Sequence, residues 1–344
     1  MKKIDSLLVR HFRSFFVESR FITLVVSILA IVLRFLMFFN KGIPDYPILN
    51  SGFAWPYIES IFLESPLVSF LSSTLCILII SYLLSELNVR YGVIRMRTVM
   101  PFYIPLIFFS VHPVFLRMTS DLPALIFVLW SLFPLLASYQ YHNSHRFAYQ
   151  FSALITVAGI FQIHALLFLP LWLIGLSAMG RINFRSFSAS LLGVILVFWI
   201  VFVFYVFGDN IAGFIEPFKG FARIYDFTQY PGYSIPQWGF IGTLLLFVFL
   251  IIMADSREIV RERSFTKKVL IFSSSVILFS ILLQVVYLNQ AFIWIYIIIS
   301  FLSIIMSHFY TNTTSRIEIL SYFLILALLI FYYILNTFTD LSPF

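Results

Sequence analysis

The chain has 344 residues, of which 61% are hydrophobic and 11% charged, with a mean hydropathy of +0.99. Soluble domains average roughly 45–50% apolar and about 25% charged residues, so a soluble globular protein is excluded and a multi-pass membrane protein is expected. The formal charge of +7 follows from the loops facing anionic lipid, and it gives no support to nucleic-acid binding.

Residues 1–20 alternate basic positions with Ile4, Leu7, Leu8, Phe12, Phe15 and Phe16. That spacing sets the apolar side chains along one helical face and predicts an interfacial amphipathic helix on the inner leaflet, with partner docking as the alternative. Residues 21–344 read as one transmembrane domain. Apolar runs near 21–39, 66–86, 101–116, 120–138, 148–162, 164–178, 187–208, 236–254, 268–287, 291–308 and 315–336 predict an all-α bundle of about eleven transmembrane helices. The first run is too long for a signal-peptide core and no small-residue cleavage site follows it, so it is kept as a span. The runs within 101–138 and 148–178 fall short of the ~20 residues of a straight crossing and are either full spans or tilted and re-entrant. Cys76 is the single cysteine, which removes disulfides and a cysteine metal site from consideration.

Loop charge orients the map. With the N-terminus cytoplasmic and the C-terminus outside, the outer segments hold only Lys41, Arg117, Lys219 and Arg223, and Arg34 lies within the first span. Every other Lys and Arg falls on the inner side, as expected for a bacterial inner membrane protein. The mixed-sign stretch 255–268 is expected to be a solvated cytoplasmic connector.

Residues able to carry chemistry gather at the outer face. Arg34 sits about five residues from the outer end of the first span, where it either snorkels to the interface or turns inward to bind an anion such as Asp45 or a phosphate. Asp45 lies in a loop made irregular by Gly42, Pro44 and Pro47, beside Phe53, Trp55, Tyr57 and Ile58, which suit an interface. It reads as a general base, a metal ligand or a solvated loop residue. The next outer turn, SVHPVFLRMTSDLPALIFVLW, holds His112, Arg117 and Asp121. Asp121 falls in the first turn of a helix, where a capping role explains it without any chemistry. His164 follows at a later outer turn beside Gln162 and either joins this group or bonds its own turn. Phe214, Phe218, Phe221 and Tyr225 line one face of a short helix in the longest outer loop, which reads as an interfacial belt or as a lid with Arg223 or Lys219 near phosphate.

No nucleotide-binding, dinucleotide-binding or zinc-protease motif is present, and the Asn312-Thr313-Thr314 sequon falls on the inner side. Three stretches resemble the GT-C superfamily of membrane glycosyltransferases. Arg34 followed by Asp45 resembles its first-loop acidic motif, HPVFLRMTSDLPALIFVLWSL resembles the hairpin bearing its second acidic residue, and AGIFQIHALLFLPLWLIGL resembles its later paired spans. The chain as a whole is also similar to an uncharacterised family of bacterial multi-span inner-membrane proteins. The GT-C resemblance implies glycosyl transfer from a polyprenyl-phosphate-linked sugar, with Asp45 and Asp121 as catalytic carboxylates, a divalent metal on them if one is used, and Arg34, His112, Arg117, His164 and Arg223 as substrate-binding residues. The first loop is less acidic than the family's, and the lysine often seen in its later paired spans is absent, with Gln162 and His164 nearby. The alternative is a non-catalytic membrane subunit or lipid-handling scaffold. A transporter would need charges near the midplane and ranks last.

Overall fold

The computed structural model describes residues 2–44, 51–140, 144–179, 182–223, 235–287 and 292–338. They form α1 (Lys2–Phe12), α2 (Arg20–Lys41), α3 (Trp55–Glu64), α4 (Pro66–Tyr91), α5 (Met100–Phe109), α6 (Asp121–Gln140) and α7 (Ser144–Phe161). Then come α8 (Leu169–Ala178), α9 (Phe184–Phe207), α10 (Ile211–Ile215), α11 (Ile235–Ile259), α12 (Ser264–Val286), α13 (Ile293–Thr311) and α14 (Arg316–Phe338). Short 3-10 segments lie at Pro113–Leu116, Ile163–Phe168 and Glu216–Ala222, and α1 runs into a π-helical turn, Arg13–Val17. Among the described residues there is no strand.

Eight of these helices, α2, α4, α6, α9, α11, α12, α13 and α14, are long and apolar enough to cross a membrane, so the chain is a multi-pass membrane protein. Helices α5 and α8 have ten residues each, about 15 Å at the α-helical rise, which is half of a hydrocarbon core. Helix α7 is longer, but its polar start, Ser144-His145-Arg146, and Gln150 dilute its hydropathy. Local sequence sets the boundaries. Proline opens α3, α4, α5 and α8, where its missing N–H has no intrahelical partner to lose. Helix α4 ends at Gly92, which takes the left-handed conformation (φ 59°) and donates its N–H to the Asn88 carbonyl at 2.9 Å.

Helix α13 is buried along all 19 of its residues and forms the centre of the bundle. A helix apolar on every side is stable only when surrounded, and its Ser300, Ser303 and Ser307 hydroxyls turn back to carbonyls four residues earlier. Helices α7 and α9 meet along a face of small residues. A Cβ on Gly193 would lie 2.4 Å from Ser152 Oγ and 2.7 Å from the Tyr149 carbonyl oxygen. Such close approach replaces the hydrophobic drive that helices lack inside lipid.

Helix ends sort into two groups. At one end Tyr333 Oη donates to the Leu33 carbonyl at 2.8 Å, Tyr205 Oη to Phe53 at 3.3 Å and Tyr287 Oη to Phe221 at 3.2 Å. At the other end Val99 N donates to the Val17 carbonyl at 2.8 Å and Tyr103 Oη to Phe16 at 3.0 Å. The N-terminal segment belongs to this second end. Its Phe12 is buried, with its ring 5.3 Å from that of Tyr322 on α14, so one aromatic edge of the amphipathic helix packs on protein.

Three expectations are corrected. The loop after α2 contains a helix, α3, which sequence patterning missed. Phe53 and Trp55 are buried in the protein instead of lying at an interface, while Tyr57 is exposed. Asp255 is fully buried and is no part of a solvated connector. The rest of that stretch is partly exposed and partly half-buried, with Ile259 and Thr266 buried as well.

Candidate functional site

Arg34 lies on α2 about 10 Å before the helix ends, at 1.5 Å per residue, and only 1% of it is exposed. It does not snorkel. Its Nη1 donates to the Phe109 carbonyl at 2.8 Å, its Nη2 to the Phe115 carbonyl and to Ser73 Oγ at 2.9 Å each, and its Nε to Thr74 Oγ1 at 3.1 Å. Ser73 Oγ in turn donates to the Leu116 carbonyl at 2.7 Å, and Ser69 Oγ accepts the Met118 N–H at 2.9 Å. The planar fork therefore ties α2 and α4 to the turn between α5 and α6. That turn sits recessed from the ends of α2 and α4. Its carbonyls, which lipid would leave without partners, are satisfied by a cation instead of by water. No described carboxylate forms an ion pair with Arg34.

Asp121 opens α6 and is 4% exposed. Its Oδ1 accepts from Gln162 Nε2 at 2.9 Å, a bond joining the start of α6 to the turn after α7. The Thr119 hydroxyl and the Ile293 amide, at the start of α13, flank the carboxylate. Asp121 is thus an interhelical link and more than a cap. Tyr296, one turn into α13, is fully buried with no hydrogen-bond partner on its hydroxyl, and it lies within electrostatic reach of both Asp121 and Arg34. The hydroxyls of Thr119 and Ser120 are likewise buried and unpaired. Arg34, Tyr296 and Asp121 form a polar layer inside an apolar bundle.

His112 is buried beside this layer. Its Nδ1 accepts the Val114 N–H at 3.2 Å and so caps the 3-10 turn. Its ring also lines a crevice of about 30 Å³ with Phe240 and Tyr296, enough space for water but not for a sugar. Arg117 is buried (7% exposed) and engaged. His164 is fully buried against the rings of Tyr287, Phe221 and Trp294, with centroids 4.9, 5.7 and 6.0 Å away, and neither ring nitrogen reaches a hydrogen-bond partner. No hydrogen bond joins it to the layer, and it does not bond its own turn.

Arg223 lies apart, half-exposed at the end of the 3-10 turn after α10, with its Nη2 3.5 Å from Glu216 Oε1. Lys219 also pairs with Glu216, and together the two cations hold that carboxyl below its usual range. The aromatic face of this loop packs inward: Phe214 lies tilted against Phe53 at 5.4 Å, and Phe218 meets Phe53 edge-on at 5.5 Å, as Phe221 meets His164. These rings fill protein volume where an interfacial belt was the sequence expectation. Asp45 and Tyr225 fall outside the described residues. Among the described residues no group of three or more His, Cys, Asp or Glu is placed to hold a metal. Around Asp121 the neighbours are mainly hydrogen-bond donors, a set that does not fit a divalent cation needing several oxygen ligands.

A second charged cluster, at the opposite end of the bundle, escaped the sequence reading. His308 Nδ1 lies 2.7 Å from Asp255 Oδ1, and His308 Nε2 lies 3.4 Å from Glu262 Oε1 and 3.1 Å from Asn312 Nδ2. Asp255 and His308 are fully buried. Nothing in the spacing of residues 53 positions apart announces the pair. The only signal was a carboxylate at the last apolar turn of one span and a histidine at the last turn of another, where intramembrane ionisable groups usually find each other.

The fold and site define an all-helical multi-pass membrane protein with a buried polar layer near one end. No protein family, curated protein or solved structure matches the chain.

Proposed function

We propose that the protein is a GT-C-like glycosyltransferase that works at the outer face of a bacterial inner membrane on a polyprenyl-phosphate-linked sugar. In this reading about eleven apolar passages make up the bundle, the short ones around α5 and α8 either crossing or tilted and re-entrant, with the N-terminus inside and the C-terminus outside, as the loop cations favour. The observation that carries the proposal is Asp121, a buried carboxylate at a helix start that accepts from the neutral Gln162 amide and has no ion pair with a described cation. Burying a carboxylate without a cation is costly, and such groups concentrate where chemistry is done. In the proposed reaction Asp121 withdraws a proton from the acceptor hydroxyl, a role worth about 10²–10⁴-fold. Arg117 and Arg223 are the cations proposed to meet the lipid phosphate, while Arg34 keeps the floor of the site in place. Asp45 is proposed as the second carboxylate.

One observation favours the alternative, a non-catalytic subunit or lipid-handling scaffold. The crevice next to the polar layer, about 30 Å³, is too small for a sugar. Deletion of the gene separates the two readings. The enzyme reading expects polyprenyl-linked sugars to accumulate and surface glycans to change, both measured by mass spectrometry. Unchanged sugars and glycans in the deletion strain would leave the scaffold.

A further inference from the structure

A cavity of about 500 Å³ lies between the N-terminal segment and α14, at the end of the bundle opposite Arg34. Its volume is in the range of small-ligand sites. Leu8 and Phe15 form one wall and Leu320 belongs to the other, while His11, Ser14 and Arg316 supply its polar groups. The His11 ring donates from Nδ1 to the Leu7 carbonyl at 2.9 Å.

We infer that this groove binds one anionic phospholipid, with an acyl chain between the N-terminal segment and α14 and the phosphate beside Arg316. Two features select that occupant. The walls are apolar and the polar groups sit together, which matches a molecule with a hydrocarbon tail and a single polar head. The charge is complementary: residues 1–20 contain Lys2, Lys3, Arg10, Arg13 and Arg20 against Asp5 and Glu18, and Arg316 adds a further cation at the groove itself. A basic amphipathic segment held beside a membrane prefers anionic lipid, by about fivefold for each cation that meets the headgroup. The inference does not depend on the glycosyl-transfer reading. It turns a helix that would otherwise rest on any leaflet into half of a defined lipid site.

The test uses the full-length protein in nanodiscs of equimolar phosphatidylglycerol and phosphatidylcholine, extracted gently and weighed by native mass spectrometry. Wild type is expected to retain one phosphatidylglycerol in at least about fivefold preference to phosphatidylcholine. Leu320→Trp, which fills the groove, is expected to abolish retention, and Leu8→Trp approaches the same space from the other wall. Phe187→Trp, on the exposed face of α9, is expected to retain lipid normally. Equal retention of the two lipids by wild type overturns the inference whatever the variants do. Retention that survives both Leu320→Trp and Leu8→Trp overturns it as well.

Discussion

Replacing Arg34 by lysine separates two roles that a positive charge can have at this position. If the guanidinium served only as a cation for a phosphate, lysine would keep the charge and leave the fold intact. The structure gives it a different task, because its donors reach four acceptors in different directions: the carbonyls of Phe109 and Phe115 and the hydroxyls of Ser73 and Thr74. An ammonium carries its donors on a single atom and satisfies about two of those four, while its burial cost stays. At least two charge-assisted bonds are lost. Each is worth about 1.5–3 kcal/mol in a protein interior, against an average of about 0.6 kcal/mol for interhelical bonds measured within a membrane. Those bounds bracket the loss between about 1 and 6 kcal/mol, and the two backbone carbonyls left in an apolar setting favour a value of about 2–4 kcal/mol. Reversible unfolding in mixed detergent micelles, Arg34→Lys against wild type, measures it. A change below about 0.5 kcal/mol would refute the role assigned to Arg34.

Three further outcomes are expected. His308→Leu leaves Asp255 buried without its partner and is expected to lower stability by about 3–5 kcal/mol, whereas the double variant with Asp255→Leu recovers part of that loss, read as a coupling of at least about 1 kcal/mol in a double-mutant cycle. Gly193→Leu drives a side chain into Ser152 Oγ and the Tyr149 carbonyl, so α7 and α9 must separate; thermal unfolding is expected to show a loss of about 2 kcal/mol or more, and Gly242→Ala, where a Cβ meets nothing within 4 Å, serves as the tolerated comparison. Gly52→Ala places a Cβ 2.3 Å from the Ile160 carbonyl oxygen and 2.6 Å from that of Gly159, both backbone. It is expected to break the Gly52 N to Phe161 O and Ala54 N to Ile160 O bonds, 2.7 and 2.9 Å long, and to expose those amides to hydrogen exchange.

The long helices were legible in the sequence because a membrane imposes a simple rule: about 20 apolar residues in a row. Helices α2, α4, α9, α12 and α14 fall within a few residues of the apolar runs that predict them. Helix α3 was not legible, since ten residues with Pro56, Glu59 and Glu64 satisfy no membrane pattern, and the burial of Phe53 just before it depends on Phe198, Tyr205 and Phe214, far along the chain. The site was legible as a list and illegible as an arrangement. Arg34, Asp121, Gln162 and His164 stand out as polar groups in apolar surroundings, but two of the four acceptors of Arg34 are backbone carbonyls, which every residue carries. The Asp121–Gln162 bond spans 41 positions. Tyr296 looked like one more aromatic in a buried helix, and its unpaired hydroxyl between a cation and a carboxylate has no sequence signature. Asp255 was hidden in a run of mixed charge, in which nothing marks it off from its neighbours.

The central claim is that Asp121 does chemistry and Arg34 holds structure. Asparagine at position 121 keeps an oxygen able to accept from Gln162 Nε2 and removes only the charge and the basicity. Complementation of the deletion strain by Asp121→Asn, at membrane levels matched to wild type and read as surface glycans, tests the claim most directly. The account predicts folded protein and unrestored glycans; glycans restored to the wild-type level by Asp121→Asn would contradict it.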